Sequence, residues 1–109
     1  MQRSRNDLVA EIKTARDEAL SMAHAYVNLT AKRYDYWRAV AAFRAYDQAL
    51  VMFARATEHK IPGIAANALA DFERARDGDT TEMALAVADG RRDALATVAD
   101  WMNNEESNR

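Results

Sequence analysis

The sequence predicts an all-α fold, a helical bundle built on one very long or kinked N-terminal helix with two shorter C-terminal helices packed on it. Three observations carry this expectation. An apolar seam with alternating steps of four and three runs from Leu8 to Ala54 without a slip, which is the heptad of a coiled coil. No five-residue stretch alternates with period two and no Asn-Gly hairpin signal occurs. Alanine, the strongest helix former, appears 24 times in the 109 residues.

The first helix opens at Ser4, a good N-cap, with Asp7 in the first turn where the helix dipole favours an acid. The seam then reads Leu8, Ile12, Ala15, Ala19, Met22, Tyr26, Leu29, Arg33, Tyr36, Val40, Phe43, Asp47, Leu50, Ala54. Only Arg33 and Asp47 are charged. No Pro or Gly occurs before Pro62, so the spacing predicts helix over about 5–60, on the order of 80 Å at ~1.5 Å per residue. Asn28 and Thr30 are weak helix formers, and Asn28–Tyr34 is where that helix would kink or break.

The stop falls at Ile61, which precedes Pro62 and is thereby pushed from helical geometry, with His59 and Lys60 in the last turn. A helix over about 62–76 follows, Pro62 fitting its first turn, with a stripe of Ile64, Ala65, Ala68, Leu69, Phe72 and Ala75. Gly78 ends it. Asp79-Thr80-Thr81-Glu82 has the form of a capping box, opening a helix over about 80–103. Its stripe is Ala84, Val87, Ala88, Leu95, Val98, Trp101 and Met102, with a break expected at Asp89-Gly90 if anywhere. Residues 104–109 read as a frayed polar tail. The length fits a single domain over 1–109.

Charge is uneven. Residues 1–60 hold ten Lys/Arg against seven Asp/Glu, and residues 61–109 hold five against ten, for a net −2. The halves attract each other, and a net acidic chain is a poor general binder of nucleic acid. The absence of cysteine fits a reducing compartment, no apolar run follows Met1, and no 18-residue apolar span occurs. The expected setting is cytoplasmic, without a membrane.

Few groups invite chemistry. Two His, no Cys and no Glu-x-x-His pair leave no recognisable metal or cofactor site, and none is expected. Ser21 and His24 share a helix face but lack an orienting carboxylate. Arg55 and His59, one turn apart, invite comparison with the Arg and His pair of the helical HEPN ribonucleases, but that family sets more residues between the two. No catalytic residue is assigned and the chain is read as a non-enzyme.

The densest cluster of recognition residue types is Lys32-Arg33-Tyr34-Asp35-Tyr36-Trp37-Arg38, continuing to Arg44 and Tyr46. Tyr, Trp and Arg dominate binding hot spots, so Arg33, Tyr34, Trp37, Arg38 and Arg44 form the expected partner-binding surface. The function expected is that of a protein-binding module occupying a partner's surface as adaptor, regulator or inhibitor, including small inhibitors carried by phages and mobile elements. A self-assembling scaffold is the alternative, and an aromatic-basic surface for nucleic acid the next. The seam adds a homodimer. If two copies pack antiparallel about Val40, Arg33 of each faces Asp47 of the other, with Tyr36 and Phe43 in the contact. Otherwise Arg33 reaches solvent at a bend and Asp47 pairs with Arg91 or Arg92.

Overall fold

Ser4 caps the first helix as expected. Its hydroxyl accepts the Asp7 amide at 3.0 Å while the Asp7 carboxylate accepts the Ser4 amide at 3.2 Å, a reciprocal capping box. The computed structural model describes residues 4–107, with side chains through 103. The helices are α1 (Arg5–Tyr26), α2 (Arg33–Ala54), α3 (Ile61–Asp77) and α4 (Glu82–Ser107), with single 3-10 turns at Thr30–Lys32 and Glu58–Lys60.

The long helix expected over 5–60 is thus two helices of 22 residues each, broken inside the Asn28–Tyr34 segment. Leu29 is extended, with φ −104° and ψ 99°, and turns the chain back on itself. The physical reason is burial: a bent chain covers its apolar seam internally, whereas a straight one leaves it to water. α2 also stops earlier than expected. Ala56 adopts φ 57°, the Thr57 amide donates to the Met52 carbonyl at 2.8 Å, and the Ala56 amide donates to that of Phe53 at 3.2 Å. This is a Schellman ending with alanine in the left-handed position usually held by glycine. The Arg5 guanidinium donates to the Phe53 carbonyl and to Glu58 and lies 5.1 Å from the Phe53 ring centre, so α1 begins where α2 ends.

Ile61 is helical despite preceding Pro62, correcting its reading as the residue forced out of the helix. It is fully buried, and this packing holds it in the disfavoured geometry. α4 is capped by Thr81, whose hydroxyl accepts the Ala84 amide at 3.1 Å, and not by Asp79 as the capping-box reading had it. It passes Gly90 unbroken and is the longest helix at 26 residues, reaching Ser107 where a frayed tail was expected; residues 108–109 of that tail lie outside the described residues. The picture of one long and two short helices gives way to four helices of comparable length.

The three extensive interfaces are α1 with α2, α2 with α4, and α4 with α3. α1 runs antiparallel to α2. α4 runs parallel to α2, since Tyr34 meets Asp89 near the start of both while Met52, Phe53 and Val98 share a core near their ends. α2 and α4 are therefore the central pair. Leu8, Ile12, Ala49, Met52, Phe53, Ile61 and Val98 form one core cluster, and Ala45, Ala65, Ala68, Ala94 and Leu95 a second.

On α2 the buried face is Ala39, Ala41, Ala45, Ala49, Met52 and Phe53, rotated from the seam read in the sequence. Tyr36, Val40 and Phe43 are half-buried and Asp47 is exposed. Small side chains win this face because α4 presses on it with Ala86, Gly90 and Ala94, all buried, and close approach of two helices needs both surfaces to be small. The same rotation exposes Ala84 and Val87 of the expected α4 stripe, and Leu69 of the α3 stripe is exposed as well.

Candidate functional site

The aromatic-basic cluster at the start of α2 divides in two because successive helical residues point about 100° apart. Tyr34 and Arg38 turn toward α4. The Tyr34 hydroxyl donates to Asp89 Oδ2 at 2.8 Å, Arg38 Nε donates to the same oxygen at 3.1 Å, and Arg38 Nη2 donates to Asp93 at 2.9 Å. Arg92, one turn along α4, donates to the other Asp89 oxygen, and its guanidinium lies 4.4 Å from the Phe72 ring centre. Asp89 is only 13% exposed, so these donors replace the water it has lost.

The electrostatics follow from that geometry. Burial alone would raise the Asp89 carboxyl, but hydrogen bonds from Tyr34 and Arg92 and the charge of Arg38 hold it below the ordinary range. Burial pushes the Tyr34 hydroxyl up to about 12, helped by its bond to Asp89. Burial opposes the charge on Arg38, yet Asp89 and Asp93 more than offset it and its pKa is raised. Tyr34 and Arg38, two residues of the expected partner-binding surface, are thus engaged in fastening α2 to α4.

Arg33, Tyr36 and Trp37 turn the other way, to the elbow between α1 and α2. There they line a cavity of about 330 Å³ together with Tyr26, Val27, Asn28, Leu29 and Thr30. The rings of Tyr36 and Trp37 meet edge to face at 5.1 Å between centres. Val27 and Leu29 stand 52% and 50% exposed at the elbow, the highest values among the exposed large apolar side chains of the described residues. Arg33 and Arg44 are exposed, and neither forms an ion pair with the described residues. Arg44 lies eleven residues beyond Arg33 on α2 and does not line the cavity.

The residues assigned to a dimer seam, Arg33, Tyr36, Val40, Phe43 and Asp47, are exposed or half-buried on α2. Asp47 Oδ1 lies 3.8 Å from Arg16 Nη1; it does not pair with Arg92, which is committed to Asp89. The Schellman ending separates Arg55 from His59, so the two do not share a helix face. Among the described residues no three His, Cys, Asp or Glu side chains gather in a way that would hold a metal ion, and no helix is long and apolar enough to cross a membrane.

Sequence reasoning missed Val27 and Leu29 as surface features because the seam counted Leu29 as core and the break beside Asn28 was left open. An apolar residue on each side of Asn28, a weak helix former, was the available signal. It missed Asp89 because a lone acid in a helix carries no mark of burial. No family model, no curated protein and no solved structure matches this chain.

Proposed function

We propose that the chain acts by binding and not by catalysis, as a helical module that occupies the surface of a partner protein in the role of adaptor, regulator or inhibitor. The observation that supports this is the elbow, where Tyr26, Tyr36 and Trp37 surround a cavity rimmed by exposed Val27 and Leu29 beside an uncommitted Arg33. Exposed apolar surface costs solubility, and aromatic rings with an arginine are the residue types that dominate interface energy. One form of this role is an inhibitor of the kind phages and mobile elements carry, and the lack of cysteine suits action in the cytoplasm. The test is affinity capture with the wild-type chain and with a Leu29→Ser, Trp37→Ala variant. Loss of a stoichiometric protein partner, with helicity and melting preserved, is the expected result. Capture that survives the double change overturns the reading.

A second reading, homodimerisation, draws support from one feature of α2. Arg33, Val40 and Asp47 stand two helical turns apart along one line of its surface, none of them buried. Two copies packed antiparallel with the two-fold axis at Val40 bring Arg33 against Asp47 of the partner subunit, twice, and such a self-complementary contact closes on itself. Arg33→Asp is expected to weaken the dimer and Asp47→Arg added to it to restore it. A monomer by light scattering at high concentration ends this reading.

A further inference from the structure

We infer that the elbow cavity receives an acidic peptide segment of the partner, with an apolar side chain entering beside Tyr26, Tyr36 and Trp37 and a neighbouring carboxylate meeting Arg33. The inference rests on the protein-binding reading and gives it a partner chemistry. At about 330 Å³ the cavity is at the small end of ligand pockets, the size of a large side chain or two and not of a folded surface. Its lining sets the rings of Tyr26, Tyr36 and Trp37 and the exposed side chains of Val27 and Leu29 beside the polar groups of Asn28, Thr30 and Arg33. An apolar side chain can thus pack on the rings while its neighbours meet polar groups.

Charge sets the rest. The lining includes no carboxylate, and Arg33, its cation, is exposed and has no ion-pair partner among the described residues. Lys32 stands next to it, 3.9 Å from the half-buried Asp35. A guanidinium free to make two parallel hydrogen bonds is matched by a carboxylate, and Asn28 and Thr30 supply further polar groups at the same edge. A lysine-rich segment would meet Arg33 as a like charge. Single-stranded nucleic acid fits less well. The rings could stack a base, but one lining cation neutralises little of a phosphate backbone, and the whole chain carries net −2.

The test uses isotope-labelled full chain and three probes: a synthetic peptide alternating Asp with Leu and Phe, its counterpart with Lys for Asp, and a single-stranded oligothymidylate. The expected result is saturable shifts of the Trp37 indole and of backbone amides 27–37 with the acidic peptide. Its affinity is expected to exceed that of the Lys peptide by roughly tenfold at low salt and to fall as salt rises. Arg33→Glu, an exposed change that leaves melting unaltered, is expected to reverse the order of the two peptides. Equal affinities, shifts confined to other helices, preference for the oligonucleotide, or signals explained by self-association alone each overturn the inference. If the peptides fail while the elbow variant still loses its captured protein, the binding reading stands and only the partner chemistry falls.

Discussion

Gly90 of α4 lies against the main chain of Arg38 in α2. A methyl group on its α-carbon would overlap the Arg38 carbonyl oxygen and stand 3.1 Å from Cβ of Ala41. The glycine costs α4 about 1 kcal/mol of helix propensity relative to alanine, and the close crossing is what that cost permits.

Gly90→Ala is therefore expected to destabilise the fold by about 2 kcal/mol despite the better helix former, because backbone cannot swing aside as a side chain can. Gly63, in the first turn of α3, has nothing within 4 Å of a would-be Cβ and no positive φ. Gly63→Ala is expected to stabilise by about 0.5 kcal/mol through the unfolded chain. Urea unfolding of the two variants checks the contrast; equal effects would remove the crossing argument.

Asp89 accepts from Tyr34, Arg38 and Arg92, while Arg38 also reaches Asp93. Asp89→Asn keeps the shape and removes the charge, leaving the Arg92 guanidinium without its counter-ion and Arg38 with Asp93 alone. A loss of about 2–3 kcal/mol is expected. A double-mutant cycle with Arg38→Met isolates the pair, and a coupling near zero would show the cluster to be incidental.

The Tyr34 hydroxyl, held up to about 12 by burial and Asp89, stays protonated in the folded protein where an unfolded tyrosine ionises near 10. Its contribution is full below pH ~10 and is lost as pH rises through about 12, because over that window only the unfolded chain releases the proton. Burial raises Tyr46 in the same sense. Asp89 acts at the other end. Its lowered pKa gives a contribution full above pH ~4 that is lost as pH falls through the folded value. Urea midpoints followed from pH 9 to 12 are expected to fall less steeply in Tyr34→Phe than in the wild type. Identical slopes would contradict the assignment.

Ala56 sits at φ 57° in the Schellman turn that ends α2. Left-handed geometry costs a residue with a β-carbon about 1 kcal/mol, part of which glycine returns through its freer unfolded chain. Ala56→Gly is expected to raise stability by about 0.5 kcal/mol and Ala56→Val to lower it by more than 1 kcal/mol. Thermal melts of the pair decide it.

The all-α class, the N-cap at Ser4 and the weak point at Asn28–Tyr34 were legible in the sequence because each rests on local chemistry. Which face of α2 would be buried was not. The heptad through Tyr36, Val40 and Phe43 is the more apolar stripe by composition, yet the alanine row at 41, 45 and 49 is the one that α4 can approach closely. That preference is set by Gly90 some fifty residues away, and no window on α2 contains it. The candidate site was half visible. Arg33 and Trp37 belong to the aromatic-basic cluster read from spacing, whereas Tyr34 and Arg38 could be told apart from them only by knowing where Asp89 lies. The cavity exists because the chain bends, so its rim of Val27 and Leu29 followed from the break and not from any motif.

The parallel contact of α2 with α4 has a kinetic consequence. Antiparallel neighbours such as α1 with α2 and α3 with α4 close through short connections and form early. The Arg38–Asp89 bond joins positions 51 apart in the chain. Loop-closure entropy must be met before that central contact returns anything, so the two hairpins come first and their docking along the alanine seam comes late. Changes at Gly90 or Asp89 then act mainly after the rate-limiting step. Stopped-flow folding of Gly90→Ala is expected to show faster unfolding with refolding nearly unchanged, which would make the middle of this protein the part that decides how long a folded molecule lasts.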